Sequence, residues 1–257
     1  MTVVDVHRLR RRLRAALTAA EPAVGTFVKL ASPDVVELAA AVGFAFVVVD
    51  LEHSTLTERN AVDLVRHAHV CGLPALVRVP EVDAAAVNRL LEAGAAGIQV
   101  SMLTRVAQTE ALVAAARFAP VGRRSVSLAN RVARFGATPL ARLLCAEQDD
   151  PPVLVGQIET ARTDPLPELL APLDVCFVGS TDLAVDLGLP PDPAVLRAAV
   201  DRVRAAARSA AVAFGGWAPT RDAAAHLGLG DAGYLVVGSD LQMLATALRV
   251  AAGEENQ

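Results

Sequence analysis

Five apolar runs in this chain end on groups that can move protons, hold a cation or bind an anion. The segments concerned are Asp50-Leu-Glu-His-Ser54, Leu76-Val-Arg78, Gln157-Ile-Glu-Thr160, Gly179-Ser-Thr-Asp-Leu183 and Gly238-Ser-Asp240. Glu159 and Asp182 follow consecutive runs, and two carboxylates with room left for water and substrate suit Mg2+, Mn2+ or Co2+. Each would equally cap the helix that follows it. An arginine at the end of an apolar strand is costly without an anion, so Arg78 faces either a substrate oxygen or a structural ion-pair partner. His53 stands beside Asp50 and Glu52, and a carboxylate next to an imidazole fixes its tautomer and raises its basicity, as proton transfer requires. Lys29 is the only lysine. A Schiff-base aldolase would have to use it, whereas a metal enzyme could use it to attract an anionic substrate or to pair with an acidic neighbour.

Other chemistries find less support. No GxSxG elbow is present for a serine hydrolase. Gly228-Leu-Gly-Asp-Ala-Gly233 matches a dinucleotide fingerprint but follows a helical stretch and precedes a strand, the reverse of the order that phosphate binding at a helix N-terminus needs. His67, His69 and His226 fall within expected helices and read as packing or surface residues.

The elements that must position these groups are eight β-branched runs separated by helical stretches. The runs span residues 23–30, 45–50, 74–79, 96–101, 152–158, 174–179, 212–216 and 233–238. Phe44-Ala-Phe-Val-Val-Val-Asp50 and Gly233-Tyr-Leu-Val-Val-Gly238 lack polar alternation, as strands covered on both faces do in a parallel sheet. Eight such units in 257 residues predict an α/β fold of the TIM-type (β/α)8 class, a single domain over residues 1–257. Residues 1–22 form an N-terminal helix, 23–252 the barrel and last helix, and 253–257 a tail, frayed at Glu254-Glu-Asn-Gln257. Leu9, Leu13 and Leu17 share one helical face while Arg8, Arg11 and Arg12 point elsewhere, so the arginine-rich start reads as an amphipathic helix packed on the body rather than a transit peptide. After the fourth barrel helix, residues 105–118, comes a long loop insert rich in arginine, glycine and serine, expected near the barrel mouth.

Composition narrows the partners to small molecules. A net charge of −4 gives no general attraction for nucleic acid or anionic lipid. The longest apolar run, residues 38–49, falls short of a membrane span. Cys71, Cys145 and Cys176 show no metal or redox spacing and read as buried thiols of a cytoplasmic protein.

With these residues assembled, the chain resembles the HpcH/HpaI family of class II pyruvate aldolases, in the phosphoenolpyruvate/pyruvate barrel superfamily that includes citrate lyase β subunits. The likeness runs from about Val24 to Val250. It rests on Gly25-Thr-Phe-Val-Lys29, Asp50-Leu-Glu-His53, Leu76-Val-Arg78, Leu90-Leu-Glu-Ala-Gly94, Gly122-Arg-Arg124, Gln157-Ile-Glu-Thr160, Thr181-Asp-Leu183 and Val237-Gly-Ser-Asp240. The resemblance implies a divalent metal on Glu159 and Asp182, and proton transfer by His53 supported by Asp50. It implies that Arg78 contacts the 2-oxo oxygen, and it places Gln157, Ser180, Thr181, Arg124 and Lys29 among the substrate-binding groups. The implied substrates are a 2-oxo acid and an aldehyde. Gly179-Ser-Thr-Asp182 stands where the family has Gly-Pro-Ala-Asp, Ser101 replaces a proline, and Arg124-Ser125 replaces Arg-Gly.

A homo-oligomer, a hexamer built from dimers, is implied too, with the apolar face of the last helix (Met243, Leu244, Leu248, Val250) as a candidate contact. Glu92 stands at an acidic family position that approaches a neighbour's mouth. An oxaloacetate decarboxylase or acyl-CoA lyase would pass through a similar enolate, and a non-catalytic oxo-acid-binding barrel is the reading from another class. On the sequence alone, Arg78→Lys should impair turnover and leave stability almost unchanged.

Overall fold

The computed structural model describes residues 5–188 and 193–253. Its strands are β1 (Ala23–Val28), β2 (Phe46–Asp50), β3 (Ala75–Val79), β4 (Gly97–Val100), β5 (Val153–Ile158), β6 (Val175–Val178), β7 (Ala213–Ala218) and β8 (Tyr234–Ser239). They pair in parallel, in chain order, and β8 returns to β1 to close the barrel. The eight apolar runs therefore become the eight strands, with ends that differ by no more than two residues. The tail at 254–257 lies outside the described residues.

Alternation along each strand divides the core in two. Phe27, Phe46, Val48, Leu76, Val153, Val155, Val175, Phe177, Tyr234 and Val236 point into the barrel and pack with Leu13 and Leu17 of the N-terminal helix, α1 (Val6–Leu17). The alternate residues, among them Val47, Val49, Val77, Ile98 and Val178, face the surrounding helices. Continuing the inward series to the C-terminal strand ends brings Asp50, Arg78 and Glu159 to one mouth. Asp50 stands beside Arg78 in the β2–β3 register, and Arg78 beside Gln99 in β3–β4.

The helices are α2 (Pro33–Ala41), α3 (Glu58–Val70), α4 (Ala84–Ala93), α5 (Val106–Ala116), α6 (Leu140–Asp149), α7 (Leu166–Leu170), α8 (Ser180–Asp186), α9 (Pro193–Ser209) and α10 (Asp240–Ala251). Their starts carry local signals. Thr57 and Asn60 form a reciprocal capping box on α3, and Asp83 accepts from Ala85 N and Ala86 N at the head of α4. Between β7 and β8 only a 3-10 turn (Asp222–Ala224) forms, so His226 lies in a turn and not in the expected helix.

Helix α1 plugs the barrel at the N-terminal strand ends. Leu9, Leu13 and Leu17 are buried while Arg8, Arg11 and Arg12 are exposed, and each buried leucine contributes roughly 1.5–3 kcal/mol. Arg10, on the buried side, donates from Nη1 to Glu147 Oε1 (2.9 Å) and to the Asp150 carbonyl (3.2 Å). His7 Nε2 and Arg124 Nη1 also meet the Glu147 carboxylate, at 3.2 and 3.1 Å. Burial opposes charge on Glu147, yet Arg10, His7 and Arg124 together hold its carboxyl far below the usual range.

The insert differs from expectation in place and content. It leaves α5 at that helix's C-terminus, where Arg123 N and Arg124 N bond back to Ala114 O and Arg117 O, and then forms α6 before β5. Because barrel helices run from the mouth down to the base, the insert begins at the base. The thiols differ as well: Cys176 is buried, Cys71 partly so, and Cys145 exposed.

Candidate active site

A cavity of about 470 Å3 opens at the C-terminal ends of the strands. Lys29, His53, Arg78, Gln157, Glu159, Ser180, Thr181 and Asp182 line it, together with the apolar rings of Phe27, Phe177 and Trp217. Of the residues marked from sequence, the structure thus gathers eight at one site. Asp50 lies directly beneath, fully buried.

Arg78 and Asp50 form a two-point pair, with Nε to Oδ1 at 2.8 Å and Nη2 to Oδ2 at 2.6 Å. Lys29 Nζ reaches Asp50 Oδ2 at 3.0 Å and donates to the His53 carbonyl at 3.0 Å. Burial disfavours the charged Asp50 carboxylate, but the Arg78 guanidinium and the Lys29 ammonium outweigh it and hold the group well below the usual range. Lys29 therefore sits between acceptors as a hydrogen-bond donor, in the pairing role and not as a free amine awaiting a carbonyl. The Arg78 guanidinium also stacks over the Phe27 ring, 4.3 Å from its centroid, which fixes its plane.

His53 departs from the expected arrangement. Asp50 Oδ1 accepts from the backbone N of His53 and not from its ring, so Asp50 shapes the turn instead of setting the tautomer. The imidazole stands at the rim, 59% exposed, with Nε2 3.6 Å from Glu52 Oε2. Glu52 itself meets Arg78 Nη1 at 3.3 Å and accepts from Ser101 Oγ. Ser101 thus orients an acidic group of the mouth.

Glu159 does not cap a helix, since the next one, α7, begins after Pro165. Its Oε2 accepts from Met102 N (2.6 Å) and its Oε1 from Gln157 Nε2 (2.7 Å). Burial, opposed by these donors and reinforced by the charges of Glu52 and Asp182, raises its pKa. Gly179 lets it lie close: a Cβ there would stand 2.5 Å from Glu159 Cγ. Asp182 is exposed in the first turn of α8. Among the described residues neither Glu159 nor Asp182 has an ion-pair partner, and the charges that act most strongly on the buried Glu159 carboxylate, those of Glu52 and Asp182, share its sign. All-oxygen donors of that kind fit a hard divalent cation. One tighter cluster of potential ligands, Glu37, His67 and Cys71, lies on α2 and α3 and its end, apart from this mouth.

Arg124 is not at the site. Its Nε donates to Asn88 Oδ1 (2.9 Å) and its Nη1 to Glu147, within the network that Arg10 ties to the base of β4 and β5. An arginine already committed to a buried carboxylate at the opposite end of the barrel cannot serve a substrate at this mouth. Conversely, sequence reading gave no role to Met102 or Gln99, and it named Glu52 only as a neighbour of His53 and Asp240 only as the end of the eighth run. Asp240 accepts from Lys29 N and Leu30 N, clamping the end of β1, and the Gly-Ser-Asp after the eighth run was its visible signal. Met102 left no comparable signal: it holds a positive φ of 49°, unusual for methionine, and it meets Glu159 through its backbone N–H and not through its side chain.

The sequence profile described as HpcH/HpaI aldolase/citrate lyase matches residues 23–247. The chain belongs to that family. It is 31% identical to a hydroxypyruvate/pyruvate aldolase of Agrobacterium fabrum over 93% of this chain and 91% of that one. It is likewise 31% identical to a 4-hydroxy-2-oxovalerate aldolase of Rhodococcus jostii, over 90% and 91% of the two chains. An HpcH/HpaI aldolase/citrate lyase family protein from Burkholderia cenocepacia J2315 superposes with a TM-score of 0.84 at 30% identity, covering 96% of this chain and 98% of that chain. As a member of the family this HpcH/HpaI protein is an enzyme, an aldolase of the carbon–carbon lyase class. Among its described residues no helix is long and apolar enough to cross a membrane.

Proposed function

We propose that this HpcH/HpaI enzyme is a divalent-metal-dependent aldolase that cleaves 4-hydroxy-2-oxo acids into pyruvate and an aldehyde. The observation that carries the reading is the buried Glu159 carboxylate, which lies near Glu52 and Asp182 with no cationic partner and opens on the cavity lined by Arg78. Glu159 and Asp182 would hold Mg2+, Mn2+ or Co2+. When bound, such an ion supplies Lewis-acid stabilisation of charge on substrate oxygens.

The chain's own residues provide the rest. Arg78, aligned by Asp50 and Phe27, retains N–H groups to donate to the 2-oxo oxygen as the C3–C4 electron pair becomes the C2=C3 bond of the enolate and the carbonyl π pair moves onto that oxygen. Ser180 and Thr181 line the wall where the substrate carboxylate would rest, with Gln157 beneath them. His53 accepts the 4-hydroxyl proton as the C3–C4 bond breaks and the aldehyde carbonyl forms. A proton delivered to C3 of the remaining enolate completes pyruvate. Exposure at the rim allows His53 to exchange its proton with water. Three free thiols accord with a cytoplasmic enzyme.

A coupled assay for pyruvate release tests the reaction with 4-hydroxy-2-oxovalerate as substrate. Chelator-treated enzyme should be inactive and added Mn2+, Co2+ or Mg2+ should restore turnover. Activity confined to CoA thioesters would instead assign a lyase of the acyl-CoA type.

We also propose a homo-oligomer, a hexamer built from dimers, with α10 in the interface. Beyond Asp240 no side chain of α10 is buried, and Leu244, Leu248 and Val250 are about half exposed, at 47, 59 and 55%. A helix of this kind fits a second copy of the chain better than water. Light scattering should give a multiple of 26.7 kDa, and Leu244→Asp with Leu248→Asp should reduce it. A monomeric wild type would overturn the assembly.

A further inference from the structure

Below the mouth, a file of hydrogen bonds crosses the apolar interior of the barrel. The hydroxyl of Tyr234, the chain's one tyrosine, donates to Gln99 Oε1 at 3.0 Å. Gln99 Nε2 donates to Gln157 Oε1 at 2.5 Å, and Gln157 Nε2 donates to Glu159 Oε1 at 2.7 Å. Tyr234, Gln99 and Gln157 are fully buried and Glu159 nearly so, which leaves them few alternative partners.

We infer that Tyr234 and Gln99 are positioning residues for the Glu159 carboxylate, acting on it through Gln157 and so setting the affinity for the divalent cation. The inference rests on the reading of Glu159 as a metal ligand. Neither Tyr234 nor Gln99 lines the cavity, so their influence on Glu159 is indirect, and the file is the hydrogen-bonded route to it. Its direction is fixed by chemistry: an ionised carboxylate only accepts, so Gln157 must present its amide NH2 to Glu159. Its carbonyl then takes the NH2 of Gln99, and the Gln99 carbonyl takes the tyrosine hydroxyl. Every donor points towards Glu159, an arrangement in which each bond polarises the next in favour of the negative charge.

The far end of the file is held firmly. The Tyr234 ring stacks on Phe46 with centroids 4.4 Å apart and meets Phe177 edge-on at 6.2 Å. Phe46 in turn fills the space above Gly25, where a Cβ would lie 2.3 Å from the ring. Removal of the hydroxyl leaves the Gln99 carbonyl without a donor in apolar surroundings. The amide can then tilt and release Gln157 from its alignment on Glu159.

Titration of Mn2+ into the full-length protein, with free Mn2+ followed by electron paramagnetic resonance, tests this without an activity assay. Gln99→Met keeps the side-chain length, and by the usual effect of residues behind a metal ligand it should weaken binding about tenfold. Tyr234→Phe should weaken it by a smaller factor. Because tyrosine acts through Gln99, the double variant should bind no more weakly than Gln99→Met alone. Phe46→Leu disturbs the same core without cutting the file, and should lower Tm with Kd unchanged. The positioning role is overturned if the wild type binds Mn2+ and Tyr234→Phe lowers only Tm, or if the two substitutions multiply. A wild type that binds no Mn2+ would remove the metal reading itself, and this inference with it.

Discussion

Arg78→Lys is expected to reduce kcat for aldol cleavage by about 10²–10³-fold, the usual effect of losing one donor aimed at a developing oxyanion. Lysine retains the charge but cannot hold Asp50 with two parallel bonds and still present donors to the 2-oxo oxygen. Asp50 is fully buried and Arg78 only 6% exposed, so the pair also contributes to the fold. The sequence alone suggested that stability would hardly change. The structure revises that expectation: Tm should fall by several degrees, with Lys29 as the remaining partner that keeps the protein folded. Steady-state kinetics and calorimetry on the same preparation check both effects. A variant with near-normal kcat and a lowered Tm would reduce Arg78 to a structural ion pair.

Glu159→Gln should be more damaging to activity and milder to the fold. A lost Lewis acid is worth several kcal/mol, which corresponds to a fall in kcat of about three orders of magnitude. Two structural effects oppose one another. Glutamine cannot accept from both Gln157 Nε2 and Met102 N as the carboxylate does, yet it relieves a buried charge of its neighbours Glu52 and Asp182. Tm should therefore stay close to that of the wild type, and Mn2+ should no longer bind. Retention of metal-stimulated turnover would remove Glu159 from the ligand set.

The strands and the mouth were legible for one physical reason. Strands covered on both faces read as apolar runs, and the polar residue that ends each run must face either solvent or the mouth. Asp50, Arg78, Glu159 and Asp182 were found in that way. Arg124 was misplaced because an arginine's partner is not encoded by local spacing. Its carboxylate, Glu147, lies on α6, and the same carboxylate is bound by Arg10, 137 residues away. The helix α6 was missed inside a segment read as loop, since its amphipathic face lies against the base of the barrel and not beside an adjacent strand. Gln99 was hidden in Gly97-Ile-Gln-Val100, where one amide in an apolar run looks like an exception until Tyr234 and Gln157 are seen around it. His53 was found, but the atom of Asp50's partner was not: sequence proximity suggested a ring contact where the fold makes a backbone one.

On the proposed reading, Glu159 and Asp182 would hold a divalent ion that, with Arg78, would stabilise the pyruvate enolate. Proton NMR of pyruvate in D2O tests it without any assumption about the aldehyde. Metal-stripped enzyme should leave the methyl signal intact, and addition of Mg2+ should cause it to disappear as deuterium enters, with Arg78→Lys and Glu159→Gln both slow. Exchange at an undiminished rate in the metal-free protein would contradict the claim.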